Sequence, residues 1–553
     1  MARTPLLSRF QQLFADFEVA DRSGRPVKTV QQKRRAMRFT RRDFLKATGA
    51  AAGAAAFGGP MAAWAATSKG GSQGRIAIVG GGIAGLNAAL TLQDNGITST
   101  VFEATGKVGG RMESDTTSWL NGQTSEECGE LIDSGHKTIL GLAKRFNIQT
   151  VDLLQAQPVG STETDYFQGG YYTTTQENQD FNPVYNALKK DLNSAPFPTL
   201  YNSYTQAGYD LDHMSLYDWI ESRVPGGHTS RMGLLLDVAY NTEYGNVTTD
   251  QSSLNLIYLL GFQTKPGNFS IFGASDERYH MVGGNEQLPK AIAASLPTGS
   301  VQLSTPLTGI VMNVDGSYTL SFNSPNGSFS QVFDRVIMAI PFSVLRTMLT
   351  SDKAYAAAGF DKLKETAITQ LGYGVHCKLQ LQFDTRYWNS SGVWGIGNGS
   401  TFTDTGYQNT WEVTRGQDGA TGILVDYTGG GVRLASFAGN PDDPKVVAKF
   451  AKTFLSQIEP VFPGITQHWN GHATLHVPAI EPYELGSYSY WKVGQYTLFS
   501  GYEKARQPYP TGKCHFAGEH CSINFQGFME GGAEEGARAA GEILSDYKAG
   551  IFP

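Results

Sequence analysis

The chain has 553 residues, with 65 Gly, 23 Pro, 11 % aromatic and 17 % charged residues and a formal net charge of −6. At about 150 residues per domain its length predicts two to four domains, and glycine well above its usual share of about 7 %, with no low-complexity tract, predicts many tight turns and close backbone approaches. These values exclude a small disulfide scaffold, a coiled coil and a disordered tail protein, and beyond the first 66 residues no basic stretch points to nucleic acid.

The charge divides unevenly. Residues 1–66 hold 12 basic and 4 acidic side chains, the remainder 32 basic and 46 acidic. Within the basic part, Thr40-Arg41-Arg42-Asp43-Phe44-Leu45-Lys46 precedes an Ala/Gly-rich run that ends in the small-x-small site Ala63-Trp64-Ala65. This is the layout of a twin-arginine export signal and predicts a periplasmic or secreted protein carried across in folded form. The run is too short and too rich in Ala and Gly for a stable membrane span, which needs about 20 strongly apolar residues, and no later stretch reads as one. Cys128, Cys377, Cys514 and Cys521 show no CxxC or CxxH grouping, so no metal centre is expected. An oxidising compartment permits disulfides, but the sequence assigns none, and free buried thiols are the commoner outcome.

The first strong element is Arg75-Ile76-Ala77-Ile78-Val79, a β-branched run that predicts a buried parallel strand. It leads directly into Gly80-Gly81-Gly82-Ile83-Ala84-Gly85 and a helical pattern from Leu86, and a second strand pattern, 98–102, ends at Glu103. Gly80 permits the tight turn, Gly82 lets the backbone approach a pyrophosphate, Ala84 lies in the same turn, and Gly85 lets helix and strand pack closely. The helix N-terminus offers its free N–H groups to phosphate. Glu103, 18 residues after Gly85, can accept both ribose hydroxyls of an adenosine.

Next come Gly109-Gly110-Arg111, and near the other end of the chain Lys513-Cys514-His515-Phe516-Ala517-Gly518-Glu519 and the glycine-rich 527–536, read as opening a helix over 537–547. The Gly-Gly-Arg turn resembles the second phosphate-contacting segment of FAD-dependent amine oxidases, with Arg111 answering the diphosphate charge. The late strand resembles the same family's strand with an acidic end, Glu519, at the ribityl chain. The glycine-rich helix start, with Phe528 and Met529, resembles the segment that faces the flavin pyrimidine. Between them, Met281-Val282-Gly283-Gly284-Asn285, Leu303 to Leu307 and Arg335 to Pro341 also resemble segments of that FAD domain.

Over residues 75–546 the chain thus resembles the flavin-containing amine oxidase family, which includes monoamine, polyamine and L-amino-acid oxidases. The resemblance implies an α/β fold: a Rossmann-like FAD-binding domain assembled from both chain ends, with a substrate-binding domain inserted. The expected order is a leader (1–66), FAD-binding parts (75–150, 276–345 and 491–553), a helical substrate part (151–275) and a substrate-binding domain (346–490). The implied reaction is oxidation of a carbon–nitrogen bond by hydride transfer to flavin N5, with reoxidation by O2 to H2O2. Lys378, in an alternating strand, matches the family lysine that holds a water at N5, a costly burial unless used. Ser487 stands where monoamine oxidases carry the flavin-linked Cys, so FAD is expected to be non-covalent. Tyr488 and Phe528 are expected as two facing aromatic walls, and Trp411 and Glu412 as further substrate-facing residues. His136, His376 and His520 are read as structural. Ile132 stands where amino-acid oxidases usually carry a carboxylate-binding Arg, and Arg278 or Arg415 is the possible substitute. Glu130, Asp133 and Glu412 suit a cationic substrate. The expected activity is an L-amino-acid oxidase of broad or basic preference, with a primary-amine or polyamine oxidase as the alternative. The expected partners are a small amine or amino acid and O2, with a homodimer left open.

Overall fold

A computed structural model of the chain describes residues 20, 26–29, 74–261, 276–430 and 439–551. Apart from residues 20 and 26–29, the expected export leader lies outside the described residues. In chain order, the strands that position the site are β1 (Ile76–Val79), β2 (Thr100–Phe102), β3 (Val301–Gln302), β4 (Leu307–Met312), β5 (Tyr318–Ser324), β6 (Gly327–Phe333), β7 (Arg335–Met338), β8 (His376–Phe383), β9 (Thr401–Phe402), β10 (Asn409–Glu412), β11 (Gly422–Gly429), β12 (Trp469–His476) and β13 (Cys514–Phe516). The helices are α1 (Ile83–Asp94), α2 (Lys137–Arg145), α3 (Thr174–Ser194), α4 (Arg231–Tyr244), α5 (Ser253–Gly261), α6 (Gln287–Ser295), α7 (Phe342–Met348), α8 (Pro444–Ile458) and α9 (Met529–Lys548).

One sheet has the order β13-β7-β1-β2-β3, with every neighbouring pair parallel. All four residues of β1 are buried, as a strand covered on both faces requires. Ile76 and Ile78 meet α1, α6 and α9 in one core. Ala77 and Val79 join Phe102 and the antiparallel β4–β5–β6 meander in another, where the rings of Phe102 and Phe322 stack with centroids 4.2 Å apart.

The chain ends meet through α1 and α9. Asn87 Nδ2 donates to Ala533 O at 2.7 Å, and a Cβ on Gly536 would lie 2.0 Å from Ala84 O. Here the structure corrects the expected helix start. α9 begins at Met529, not after Gly536, and carries Gly531, Gly532 and Gly536 inside it. Interior glycine costs about 1 kcal/mol relative to alanine, and so reads as a break. At Gly531 and Gly536, however, a Cβ would strike the carbonyls of Phe525 and Ala84, so contact between backbones requires glycine.

The second sheet is antiparallel, with the order β9-β10-β11-β8-β12. Its interior strand β8, between β11 and β12, alternates. Cys377, Leu379, Leu381 and Phe383 pack with Phe450, Phe454 and Ile458 of α8. His376, Lys378, Gln380 and Gln382 occupy the opposite face and are also buried. Helices α3, α4 and α5 share the core of the meander. The four cysteines are free and buried. Among the described residues no helix is long and apolar enough to cross a membrane.

Candidate active site

A cleft of about 390 Å³ opens at the carboxyl ends of β1, β2 and β7, where open parallel sheets bind ligands. Its lining includes Gly80, Gly82, Ala84, Glu103, Gly109, Gly110, Arg111, Leu307, Gly518, Glu519, Phe528 and Met529. Gly85 acts behind it: a Cβ there would lie 2.0 Å from Gly80 O, so glycine lets α1 sit against the turn. Gly80 has φ +110°, and a Cβ would come within 2.5 Å of Ala339 O. Gly82 caps α1 with no side chain, and the first turn carries no acid, so the helix N–H groups face the cleft without a protein anion. The Gly-Gly-Arg turn docks here, with Gly109 N donating to Gly81 O at 3.0 Å.

Glu103 Oε2 accepts from Gly81 N at 2.7 Å, and Oε1 accepts from Thr105 N and Oγ1, both at 2.8 Å. That fills three of a carboxylate's roughly four acceptor positions. One position remains for a ribose hydroxyl, and a second is freed when the Thr105 hydroxyl turns to Lys107 O, 2.8 Å away. Arg111 NH1 donates to Ser487 O at 2.7 Å and pairs with Glu519 Oε1 at 3.0 Å, so part of the charge expected to answer a diphosphate is met within the protein. Burial pushes the Glu519 carboxyl up, but Arg111 and hydrogen bonds from Ser489 and Gly527 outweigh it and hold the group below its ordinary value. A cleft with an uncapped helix N-terminus, glycines where backbones close in, and an acid with acceptor capacity fits a dinucleotide.

Lys378, Trp411 and Tyr488 do not line that cleft. Lys378 Nζ donates to Glu130 Oε2 at 2.7 Å, Cys128 O at 3.0 Å and Glu126 O at 3.2 Å, three acceptors for its three N–H groups. Trp411 Nε1 donates to the other Glu130 oxygen at 2.9 Å. Glu130 is therefore committed to Lys378 and Trp411 and is not an open cation site.

Trp411 and Glu412, both expected to face the substrate, point to opposite faces of β10, because adjacent strand residues alternate. Glu412 binds Arg386 Nε at 2.6 Å and Trp388 Nε1 at 3.0 Å, on the side away from Trp411. Tyr488 stacks on His376 (centroids 4.8 Å), His376 on Tyr427 (4.6 Å), and Tyr427 meets Trp411 edge-on (5.1 Å), making one continuous aromatic run. The Tyr488 hydroxyl donates to Glu243 O. Phe528 belongs to another group, edge-on to His136 at 4.9 Å. His376 is held neutral, its basicity pulled down to about 3 by burial and then by Lys378. Its Nδ1 meets Ser487 Oγ.

Glu277 acquires a site character that the sequence did not reveal, and Arg415, one of the two arginines that the sequence offered, lies within its electrostatic reach. Glu277 is buried, has φ +44°, and neither of its carboxyl oxygens has a hydrogen-bond partner among the described residues. Burial, then Asp133, Glu243, Glu163 and Glu130, pushes its carboxyl well above its ordinary range. A non-glycine residue in left-handed backbone persists only where its surroundings hold it; here Asp133 Oδ1 accepts the Glu277 N–H at 2.8 Å. Arg415 is buried with NH2 on Asn398 O (2.9 Å) and Nε without a partner among the described residues. It lies within electrostatic reach of Glu412, Glu163, Glu277 and Glu130. The other candidate, Arg278, is taken by Asp152 through two contacts, at 3.0 and 2.7 Å.

A family model for flavin containing amine oxidoreductases matches residues 83–544. An L-amino-acid oxidase of Mus musculus is 24 % identical over 494 residues, covering 86 % of this chain and 71 % of its own. A putrescine oxidase of Kocuria rosea is 23 % identical over 499 residues, covering 85 % and 95 %. Among solved structures, cyclohexylamine oxidase from Brevibacterium oxydans superposes with a TM-score of 0.70 at 18 % identity, over 86 % of this chain and all of its own. Putrescine oxidase bound to putrescine superposes with a TM-score of 0.67 at 18 % identity, over 86 % of this chain and 99 % of its own. With the dinucleotide cleft and the match over most of its length, the chain belongs to the flavin-containing amine oxidase family, and its cofactor is a flavin.

Proposed function

We propose that this chain is an FAD-dependent L-amino-acid oxidase of broad or basic preference, with its flavin held non-covalently. The observation that carries the amino-acid reading is the buried Arg415, whose Nε has no partner among the described residues, within electrostatic reach of the unpartnered Glu277. An amino acid brings a carboxylate that a guanidinium binds well, and an ammonium that would draw the buried Glu277 carboxyl into its ionised form and pair with it. Arg415 then supplies what Ile132 cannot.

When bound, the flavin supplies the two-electron oxidation of the C–N bond and passes the electrons to O2, giving H2O2. The chain's own residues orient the substrate and exclude water. The run Trp411–Tyr427–His376–Tyr488 offers a dry wall, and Lys378, fixed by three acceptors, holds a positive charge in place beside it. Ser487 has no thiol to form a thioether, so FAD should leave on acid precipitation. The basic leader with Arg41-Arg42 supports export in folded form to the periplasm or beyond.

A primary-amine or polyamine oxidase is the second reading, favoured by Ile132 and by Glu277 as a partner for a distal ammonium. A peroxide-coupled screen of twenty L-amino acids, putrescine, spermidine and tyramine separates the two. Peroxide from L-amino acids, with KM raised at least tenfold in Arg415→Ala, supports the proposal. Peroxide from amines alone overturns it in favour of the second reading.

A further inference from the structure

Residues 128, 476 and 484 are too far apart in sequence to read as a metal motif, yet the fold brings their side chains together. Cys128 follows the short ribbon Ser114–Asp115/Ser125–Glu126, His476 ends β12, and Glu484 lies in the loop before Ser487. The Lys378–His476 register in the second sheet fixes the strand end. Cys128 Sγ lies 3.5 Å from His476 Nε2 and 3.6 Å from Glu484 Oε2, and His476 Nε2 lies 3.7 Å from Glu484 Oε2.

These separations match the edges of a coordination tetrahedron. Zinc bonds of about 2.3 Å to sulfur and 2.0–2.2 Å to nitrogen and oxygen, at tetrahedral angles, put neighbouring donor atoms about 3.4–3.6 Å apart. The donor set is a thiolate, an imidazole and a carboxylate, which zinc accepts and hard cations such as magnesium do not favour. On its other ring nitrogen, His476 Nδ1 faces Glu127 Oε2 at 3.5 Å. A carboxylate there keeps a proton on Nδ1, so that Nε2 is the nitrogen that gives up its proton to a metal. A cleft of about 820 Å³, lined by Glu127, His476 and Glu484 among others, gives access to two of the three donors and room for a water as fourth ligand, with Cys128 buried behind them.

We propose that Cys128, His476 and Glu484 form a binding site for one zinc ion, with Glu127 as its positioning residue. On binding, the Cys128 S–H proton and the proton on His476 Nε2 leave to solvent and three protein–metal bonds form, with no change of oxidation state. The ion ties the loop that bears Ser487 and Tyr488 to the segment whose Glu126 and Cys128 carbonyls hold Lys378. Its role is to fix two walls of the reacting face relative to each other.

The test uses the purified, flavin-loaded chain, stripped with a chelator and titrated with zinc alone against a chromogenic competitor. One equivalent is expected for the wild type and for the control Cys377→Ser. Cys128→Ser and Glu484→Gln should lose it, and Glu127→Gln should bind about tenfold to a hundredfold more weakly. Cobalt added to the stripped wild type should give a thiolate-to-cobalt charge-transfer band. This measurement keeps the proposal open to refutation even where Cys128→Ser does not fold. Absence of that band in the wild type, or equal zinc binding in the wild type and Glu484→Gln, overturns the site.

Discussion

Lys378 and Glu130 form an ion pair whose side chains are 4 % and 3 % exposed. Removing one member of such a pair strands the other in a medium that solvates it poorly, at a typical cost of 3–5 kcal/mol. Lys378→Met is therefore expected to lower stability to urea by about that amount, and Lys378→Met with Glu130→Gln should recover part of it. Flavin content should survive in both, because the dinucleotide contacts lie elsewhere. A Lys378→Met chain as stable as wild type would mean that the pair is not held as described. His520 is a second residue whose charge state is set by burial. It lines the flavin cleft, and burial pulls its basicity down to about 3. The unfolded chain therefore binds a proton near its ordinary value of about 6.5 that the native chain does not, so this contribution to stability is full above that value and falls as pH falls through it. Glu503, pushed up to about 8 by burial, acts with the opposite sign, its contribution being lost as pH rises. The informative quantity is thus a difference: between pH 6 and 5, His520→Gln should lose less stability than wild type, by up to about 1.4 kcal/mol per pH unit. Equal slopes in urea unfolding would count against a neutral, buried His520.

At the scale of elements, the contact between α1 and α9 is made by backbones. Gly536→Ala places a methyl 2.0 Å from Ala84 O and must push the helices apart. Overpacking of this kind costs about 1–3 kcal/mol. Because Ala84 and Met529 both line the cleft, flavin occupancy measured by visible absorbance should fall with it. A variant with wild-type melting and full flavin content would show that the gap yields freely. The same contact explains what could be read in advance and what could not. The turn 80–85 was legible because each glycine has a local cause, and β1 because its four residues are uniformly apolar. The true start of α9 was hidden, since the reason for Gly531 and Gly536 lies on other segments. In β8 the alternation placed Lys378 on its face, whereas the same rule, applied to Trp411 and Glu412, would have separated them. Glu277 gave no signal at all: its burial, its left-handed backbone and the carboxylates around it arise from tertiary packing alone.

For the molecule as a whole, the parallel sheet interleaves early and late chain: β1 from residues 76–79 lies beside β7 from 335–338, and β13 from 514–516 closes the edge. The Asn87–Ala533 hydrogen bond spans 446 positions of sequence. A ribosome adding about 5–20 residues per second leaves β1 waiting roughly 20–90 seconds for the strand and helix at the far end. Until then the wall of the cleft made by residues 518–532 does not exist, and no cofactor can be captured. A chain terminated before residue 518 is expected to stay colourless, however well its first hundred residues are formed. Yellow colour in a preparation of this protein is therefore a report that synthesis and folding have reached the far wall of the cleft.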